Sequence, residues 1–242
     1  MKILPKAILF DLDGTLLNVD MDDFLGRYLK RLAVHFAHMM DPQEFVVNLM
    51  ASTQAMIENR DPQKTNQEAF WEHFLTTLPH EPETVYPHID TFYQDIFPEL
   101  KPYVKPYPHT PEVLASATKH ACPLVLATNP VFPLAAIRHR MNWAGLTEEQ
   151  FALVTSYEHM HYCKPHPEYY LEIAERIDVA PQDCLMIGND ADDDIRAAAK
   201  AGMQTYLVKD LVVNKSGKPP QADFSGHIKD IPSFLEKLKE DS

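Results

Sequence analysis

Two carboxylates follow the first apolar run of the chain, and their spacing suggests a chemical role. Asp11 and Asp13 come directly after the apolar run 7–10, and side chains at positions i and i+2 of an extended segment point the same way. Gly14 comes next, and glycine permits a tight turn that a side chain would block. A helix cap followed by a turn is the plainer alternative. The position directly after an apolar run favours a catalytic role, because such a pair can supply a nucleophile and a general acid.

Polar residues also come directly after two later apolar runs. They are Thr128, which follows 124–127, and Asn189, which follows 185–188. In open parallel sheets, ligands bind beyond the carboxyl ends of the strands. If the apolar runs are strands of one such sheet, these side chains are candidates for a single site.

The apolar runs predict the sheet that would position these residues. They cover residues 7–10, 124–127, 185–188 and 205–208, with a weaker run at 151–154. The first three lack an alternation of apolar and polar residues, which is typical of strands that are covered on both faces. Amphipathic helical patterns lie between the later runs, and strand–helix alternation indicates a mostly parallel sheet with helices on both faces.

Residues 18–105 follow a different pattern, with no convincing strand and several amphipathic helices. Asp20 is a plausible cap for the first helix, and Thr65 with Glu68 forms a capping-box sequence before the third. Apolar stripes mark the four predicted helices: 24–36, 45–50, 70–75 and 89–97. A proline-rich return follows, with prolines at 98, 102, 106, 108 and 111. The fold class is therefore α/β, and we expect a core of residues 1–17 and 106–242 with an all-helical insertion at 18–105.

Four short motifs carry a resemblance to the haloacid dehalogenase-like (HAD) superfamily of hydrolases. The run D-L-D-G-T-L at 11–16 resembles its first motif, and Thr128 matches the threonine or serine of its second. Lys164 before Pro165 resembles the third motif, and Asp190 with Asp194 resembles the acidic fourth. The resemblance covers about residues 3–17 and 106–240. It implies a Rossmann-like core, and the helical insertion then corresponds to the C1 cap of subfamily I phosphatases.

The resemblance implies a Mg²⁺-dependent phosphatase that hydrolyses a small phosphorylated metabolite through an aspartyl-phosphate intermediate. Asp11 is then the nucleophile and Asp13 the general acid. Asp11, the main-chain carbonyl of Asp13, and Asp190 are the implied metal ligands. Thr128, Asn129 and Lys164 are the implied phosphate-binding residues, with Lys164 offering a compact positive charge.

One departure from the family pattern affects the fourth motif. The usual motif begins Gly-Asp, whereas this chain has Gly188-Asn189-Asp190. We expect Asp190 at the metal and Asp194 as a supporting acid or partner of Lys164. Asp193 is the alternative for the second role, and Asp192 is expected to be a solvated charge at the helix start.

Three other functions are compatible with the same motifs. A sugar phosphomutase would return the phosphoryl group to its substrate instead of releasing phosphate. A haloacid dehalogenase needs neither the acid Asp13 nor a metal-binding Asp190, and a non-catalytic binding module would not need competent residues in all four motifs. A zinc site at His159, His161 and Cys163 is disfavoured by the ligand spacing. Most histidines of the insertion are expected to be surface or partly buried polar groups, with substrate binding as the less favoured alternative: His35, His38, His73, His80 and His88.

Composition narrows the possible partners. The chain has 242 residues and a formal net charge of −13, and such a field repels nucleic acid and anionic lipid. The three cysteines, Cys122, Cys163 and Cys184, form no disulfide framework and suggest a reducing compartment. No signal peptide or membrane-spanning run is evident. We therefore expect a cytoplasmic protein, a monomer or a homodimer, that binds a small phosphorylated substrate.

Overall fold

A parallel sheet of six strands forms the centre of the computed structural model, which describes residues 4–78 and 82–240. The strands are β1 (Ala7–Phe10), β2 (Leu17–Asn18), β3 (Lys105–Pro106), β4 (Leu124–Leu126), β5 (Leu153–Val154), β6 (Cys184–Gly188), β7 (Gln204–Val208) and β8 (Phe224–Gly226). The sheet order is β5-β4-β1-β6-β7-β8, and every neighbouring pair is parallel. This confirms the predicted α/β fold class.

Helices cover both faces of this sheet and also fill the segment between β2 and β3. The α-helices are α1 (Met21–His35), α2 (Pro42–Glu58), α3 (Asn66–Thr77), α4 (Pro82–Thr91), α5 (Thr110–Thr118), α6 (Leu134–Trp143), α7 (Pro167–Arg176), α8 (Ala197–Lys200) and α9 (Ile231–Glu240). A π-helical turn at Phe92–Ile96 and a 3₁₀ helix at Phe97–Tyr103 continue α4, and a second π-helical turn at Ala191–Arg196 leads into α8.

The central strand β1 explains why its run is apolar without alternation. All four of its residues are fully buried, because Ile8 and Phe10 pack in one apolar cluster while Ala7 and Leu9 pack in the other, on the opposite face. Phe10 pairs with Leu126 of β4 and with Ile187 of β6. These three strands therefore end at the same edge of the sheet.

The helical segment between β2 and β3 begins and ends at a short antiparallel ribbon, in which Asn18 pairs with Lys105. Local caps start its helices as the sequence predicted. Asp20 accepts hydrogen bonds from the amides of residues 22 and 23, and Thr65 with Glu68 completes a capping box. The segment packs on α6 through aromatic rings, with Phe97 stacked on Trp143 at a centroid distance of 5.6 Å.

Several details differ from the sequence-based expectations. Strand β8 and helix α5 were not predicted, and Pro111 lies in the first turn of α5 instead of in an extended proline-rich return. The ribbon adds Asn18 and Lys105 to strands within a segment that was expected to have none. Met50, placed on the apolar stripe of α2, is 49% exposed.

Two further observations bear on the cellular environment. Over the described ranges, none of the helices combines the length and the apolar character needed to cross a membrane. Cys122, Cys163 and Cys184 are all free thiols.

Candidate active site

A cavity of about 780 Å³ lies between the carboxyl edge of the sheet and the helical segment. It is where the sequence-predicted site residues meet. All seven contribute to its lining: Asp11, Asp13, Thr128, Asn129, Lys164, Asp190 and Asp194. They come from loops after β1, β4, β5 and β6, which are brought together because these parallel strands end at one edge.

Lys164 is a buried cation held between two carboxylates. Its Nζ lies 2.8 Å from Oδ1 of Asp11 and 2.6 Å from Oδ1 of Asp194. Burial by itself would lower the pKa of Lys164, but Asp11 and Asp194 raise it well above its ordinary value. Burial and the Asp11 carboxylate raise the pKa of Asp194 to about 8. The lysine therefore stays charged beside the candidate nucleophile.

Asp13 forms an ion pair with Arg140, a residue that was not among the sequence predictions. The Arg140 guanidinium is almost fully buried, contacts Oδ2 of Asp13 and lies 4.5 Å from the centre of the Phe132 ring. Oδ1 of Asp13 is buried and has no hydrogen-bond partner. Burial raises the pKa of Asp13, and Arg140 opposes that rise. The carboxyl group is thus fixed in position with one oxygen left unpaired.

The sequence did contain a signal for Arg140. Helix α6 buries Ala136, Ile137 and Met141 on the side that faces the protein interior. Residue 140 falls on that same face at helical spacing. A charged residue on a buried helix face needs a partner of opposite charge.

The loop after β6 orders the acidic motif through its own backbone. Oδ1 of Asp190 accepts hydrogen bonds from the amides of Asp192 and Asp193 at 2.8 Å each. Oδ2 of Asp194 accepts one from the amide of Asp190 at 2.9 Å. Asp194 is therefore the residue that contacts Lys164, whereas Asp193 lies 3.7 Å from the exposed Lys215.

Asn189, the residue that departs from the family motif, ties this loop to the first motif. Its side-chain oxygen accepts a hydrogen bond from the hydroxyl of Thr15 at 3.0 Å, and the same hydroxyl lies 3.2 Å from Oδ2 of Asp11. The Asn189 side chain also donates to the carbonyl of Leu211. A β-carbon at Gly14 would overlap Asn189, so the glycine permits this close approach.

Thr128 and Asn129 are held at the end of β4 by buried hydrogen bonds. The carbonyl of Thr128 accepts from the hydroxyls of Thr155 and Tyr169, at 2.7 and 2.8 Å. Oδ1 of Asn129 accepts from the amide of Lys164 at 3.2 Å. The second and third motifs therefore contact each other directly.

Other candidates from the sequence lie away from this arrangement. Asp192 is not a free solvated charge. It accepts a hydrogen bond from the amide of Ser216 and pairs with Arg196, and these two interactions lower its pKa to about 2. His161 pairs with Glu172, and Cys163 is buried with a raised pKa. Among the described residues, no histidine lines the cavity, and His80 lies outside the described residues.

The donor set suits a hard divalent cation. Within the described ranges, no three His, Cys, Asp or Glu side chains form a metal cluster, whereas Mg²⁺ needs only one or two carboxylates plus other oxygens. The sheet end of the cavity is rich in side-chain oxygen atoms that such an ion could bind, with five acidic residues against three basic ones. The acidic residues are Asp11, Asp13, Asp190, Asp193 and Asp194, and the basic residues are Arg140, Lys164 and Lys215.

Comparison with known proteins gives one family and several relatives. The model of the haloacid dehalogenase-like hydrolase family matches residues 5–202. The chain is 25% identical over 214 residues to the bifunctional riboflavin kinase/FMN phosphatase of Arabidopsis thaliana, covering 87% of this chain and 50% of that protein. The chain thus spans about half the length of this curated relative.

Two further similarities extend over nearly the whole chain. A phosphoglycolate phosphatase of Aquifex aeolicus is 26% identical over 236 residues, which is 96% of both proteins. The crystal structure of a HAD phosphatase from Thermococcus onnurineus superimposes with a TM-score of 0.56 at 20% identity, covering 95% of this chain and 97% of that one. At that identity, the superposition shows a shared fold.

Proposed function

Because the chain belongs to the haloacid dehalogenase-like hydrolases, we propose that it is a Mg²⁺-dependent phosphatase acting on a small phosphorylated metabolite. The observation that carries this proposal is the buried contact between Asp11 and Lys164 in a cavity that also contains Asp13, Thr128 and Asp190. A carboxylate beside a fixed cation at the end of a central strand is suited to attack an anionic phosphoryl group.

The proposed organisation assigns the sheet and its flanking helices, residues 1–17 and 106–242, to the catalytic core. Residues 18–105 then form a cap that covers the cavity. The ribbon between β2 and β3 joins the two, since the chain leaves the core after Leu17 and returns at Pro106. Such a cap excludes water and contacts the leaving group.

In the first proposed step, an Asp11 carboxylate oxygen attacks phosphorus and the bond from phosphorus to the leaving oxygen breaks. Asp13 gives its proton to that oxygen, so an alcohol leaves and an aspartyl-phosphate remains. Asp13 then takes a proton from water as the water oxygen attacks phosphorus and the bond between phosphorus and the Asp11 oxygen breaks. This step releases phosphate, leaves Asp11 as a carboxylate and returns Asp13 to its protonated form. Thr128, Asn129 and Lys164 hold the phosphoryl oxygens.

Asp11, the main-chain carbonyl of Asp13, and Asp190 would hold Mg²⁺. When bound, the ion supplies charge neutralisation for a phosphate dianion that would otherwise meet several carboxylates. Asp194 serves as a supporting acid that keeps Lys164 in place.

Phosphate release from 4-nitrophenyl phosphate tests the proposal. We expect turnover with Mg²⁺, none with excess chelator, and recovery when Mg²⁺ is restored. Asp11→Asn should reduce kcat by about 10⁴-fold or more while the circular dichroism spectrum stays unchanged. Asp192→Asn, on the same edge but outside the proposed chemistry, is the matched control. Appreciable turnover by Asp11→Asn would reject this nucleophile.

The same assay separates the alternatives. A phosphomutase would convert a sugar phosphate into its isomer with little phosphate release. A haloacid dehalogenase would release halide from a 2-haloacid and would not depend on Mg²⁺. The acid Asp13 and the metal-suited Asp190 favour the phosphatase over both the dehalogenase and a binding module.

A further inference from the structure

The two ends of the cavity differ in chemistry. At the sheet end lie the charged groups of the proposed reaction. At the helical end the wall is apolar and aromatic, with side chains from α1, α2, α3 and α4 that include Leu29, Leu49, Ile57, Phe70, Trp71 and Ile89. Among the described residues of the helical segment, none that lines the cavity is Lys, Arg or His, and the charged side chains that do so are Asp20 and Asp22.

The two buried cations of the cavity are already paired with carboxylates. Lys164 contacts Asp11 and Asp194, and Arg140 contacts Asp13. The third cation, Lys215, is 71% exposed and lies at the sheet end, 3.7 Å from Asp193. A second anionic group on a substrate, beyond the phosphate, would therefore enter an apolar wall without a counter-ion, and an unpaired buried charge is strongly unfavourable.

The cavity volume also exceeds what a two-carbon acid would fill. A volume of about 780 Å³ falls in the range of pockets that enclose drug-sized ligands, which are mostly apolar with a few polar groups. Aromatic side chains provide flat surfaces on which a ring can pack. Trp71 from α3 and Tyr93 from the π-helical turn both contribute to this wall.

We propose that the leaving group is an uncharged apolar or aromatic alcohol, and that the cavity discriminates against phosphate esters that carry a carboxylate. This inference rests on the proposed phosphatase function and narrows its substrate class. It separates this chain from relatives whose names refer to phosphoglycolate, the phosphate ester of a two-carbon acid.

A matched pair of alkyl phosphates tests the proposal without a large change in leaving-group reactivity. The pair is 3-phenylpropyl phosphate and 4-(phosphonooxy)butanoate, with phosphoglycolate as a third substrate. Burial of the phenyl ring should make kcat/KM for the phenylpropyl ester at least about tenfold higher than for either acid. Equal values, or a preference for the acids, would overturn the inference while leaving the phosphatase function intact.

Two arginine substitutions in α2 test whether the cavity wall is responsible for the preference between the phenyl and carboxylate esters. Met50 lines the cavity, whereas Val47, one turn earlier, is 65% exposed and is not part of the lining. Met50→Arg should lower kcat/KM for the phenylpropyl ester and raise it for the carboxylate ester. Val47→Arg adds the same charge to the same helix and should change neither. Equal responses of the two variants would contradict the assignment.

Equilibrium binding separates failure of this inference from failure of the proposed function. Calorimetry with 3-phenylpropylphosphonate and 3-carboxypropylphosphonate measures the affinity of the cavity for each kind of leaving group and does not require turnover. We expect tighter binding of the phenyl compound with a negative heat-capacity change, the signature of apolar burial. If no ester releases phosphate but this preference is observed, the function is wrong and the assignment of the cavity stands. If the carboxylate compound binds as tightly, the inference is wrong regardless of turnover.

Discussion

Arg140 places a full positive charge on the buried face of α6, where it forms an ion pair with Asp13. The residue is 1% exposed and pairs with Asp13, while one guanidinium nitrogen and one Asp13 oxygen have no hydrogen-bond partner. Charges are costly to bury, so each partner depends on the other for its stability. The ion pair fixes the Asp13 carboxyl group where the proposed acid must act.

A double-mutant cycle on Arg140 and Asp13 measures this dependence. Arg140→Met should lower the free energy of unfolding by about 3–5 kcal/mol, because it leaves the buried Asp13 carboxylate without a partner. Combining it with Asp13→Asn should cost about 1–3 kcal/mol less than the sum of the single changes. Urea unfolding monitored by circular dichroism gives all four free energies. Strict additivity would show that the pair is not energetically coupled.

Asp190 and Asp192 provide a second comparison between neighbouring carboxylates. Asp190→Asn keeps a side-chain oxygen that can accept hydrogen bonds from the amides of residues 192 and 193. The N-cap of this helical turn is therefore retained while the charge is lost. We expect the Mg²⁺ concentration for half-maximal activity to rise about tenfold or more. Asp192→Asn should leave it nearly unchanged, because Asp192 pairs with Arg196. Similar shifts in both variants would assign the metal to another set of ligands.

At the scale of elements, the sequence predicted those strands and helices whose residue types are determined by burial alone. Strand β1 is fully buried on both faces, so its composition identified it directly. Strand β8 has three residues, none of them buried, and lies at the sheet edge. Helix α5 begins within a run of prolines, which also suits an extended chain. These two elements depend on tertiary contacts that short patterns do not encode.

The candidate site was predictable to a similar extent. Each motif residue follows a strand, and the parallel order of the strands brought the residues to one edge. Arg140 and Lys215 were missed because each depends on a partner that is distant in sequence, namely Asp13 and Asp193. For the second carboxylate of motif four, spacing favoured Asp194 and left Asp193 as the alternative. The π-helical turn at Ala191–Arg196 carries both residues, and Asp194 is the one that contacts Lys164.

The last residue of β6 illustrates how an element constrains the site. A β-carbon on Gly188 would overlap the carboxyl group of Asp194, so only glycine allows the turn to pack against the strand end. Gly188→Ala should displace Asp194 from Lys164, destabilise the fold by about 1–3 kcal/mol and lower kcat/KM at least about tenfold. Thermal unfolding and phosphate release measure the two effects.

Gly26 is the matched control for that substitution. It lies on the exposed side of α1, and a β-carbon there meets no atom within 4 Å. Gly26→Ala should raise the free energy of unfolding by about 0.5–1 kcal/mol, because alanine favours the helix, and should leave turnover unchanged. If Gly188→Ala has the same stability and turnover as Gly26→Ala, neither the fold nor the activity requires Asp194 at its present position.

At the scale of the whole molecule, hydrogen bonds at the start of α3 connect the helical segment to the part of the protein that contains the sheet. Asn66 is fully buried, and its side-chain amide donates to the carbonyls of Pro130 and Tyr162 at 3.3 Å each. The amide of Asn66 donates to the carbonyl of Met160 at 2.7 Å. These contacts join the segment to the loops after β4 and β5, which also carry Lys164.

Loss of the Asn66 side chain should therefore loosen the covering of the cavity. Asn66→Ala removes two buried hydrogen bonds and should weaken this attachment by about 1–3 kcal/mol, which would speed amide hydrogen exchange at the start of α3 and raise KM. Arg60→Ala is the control, since the Arg60–Glu168 pair spans the same two parts but is largely exposed and should contribute less than about 1 kcal/mol. Hydrogen exchange followed by mass spectrometry compares the variants. If exchange and KM are the same in both, the buried amide does not hold the segment over the cavity, and closure depends on the apolar contacts alone.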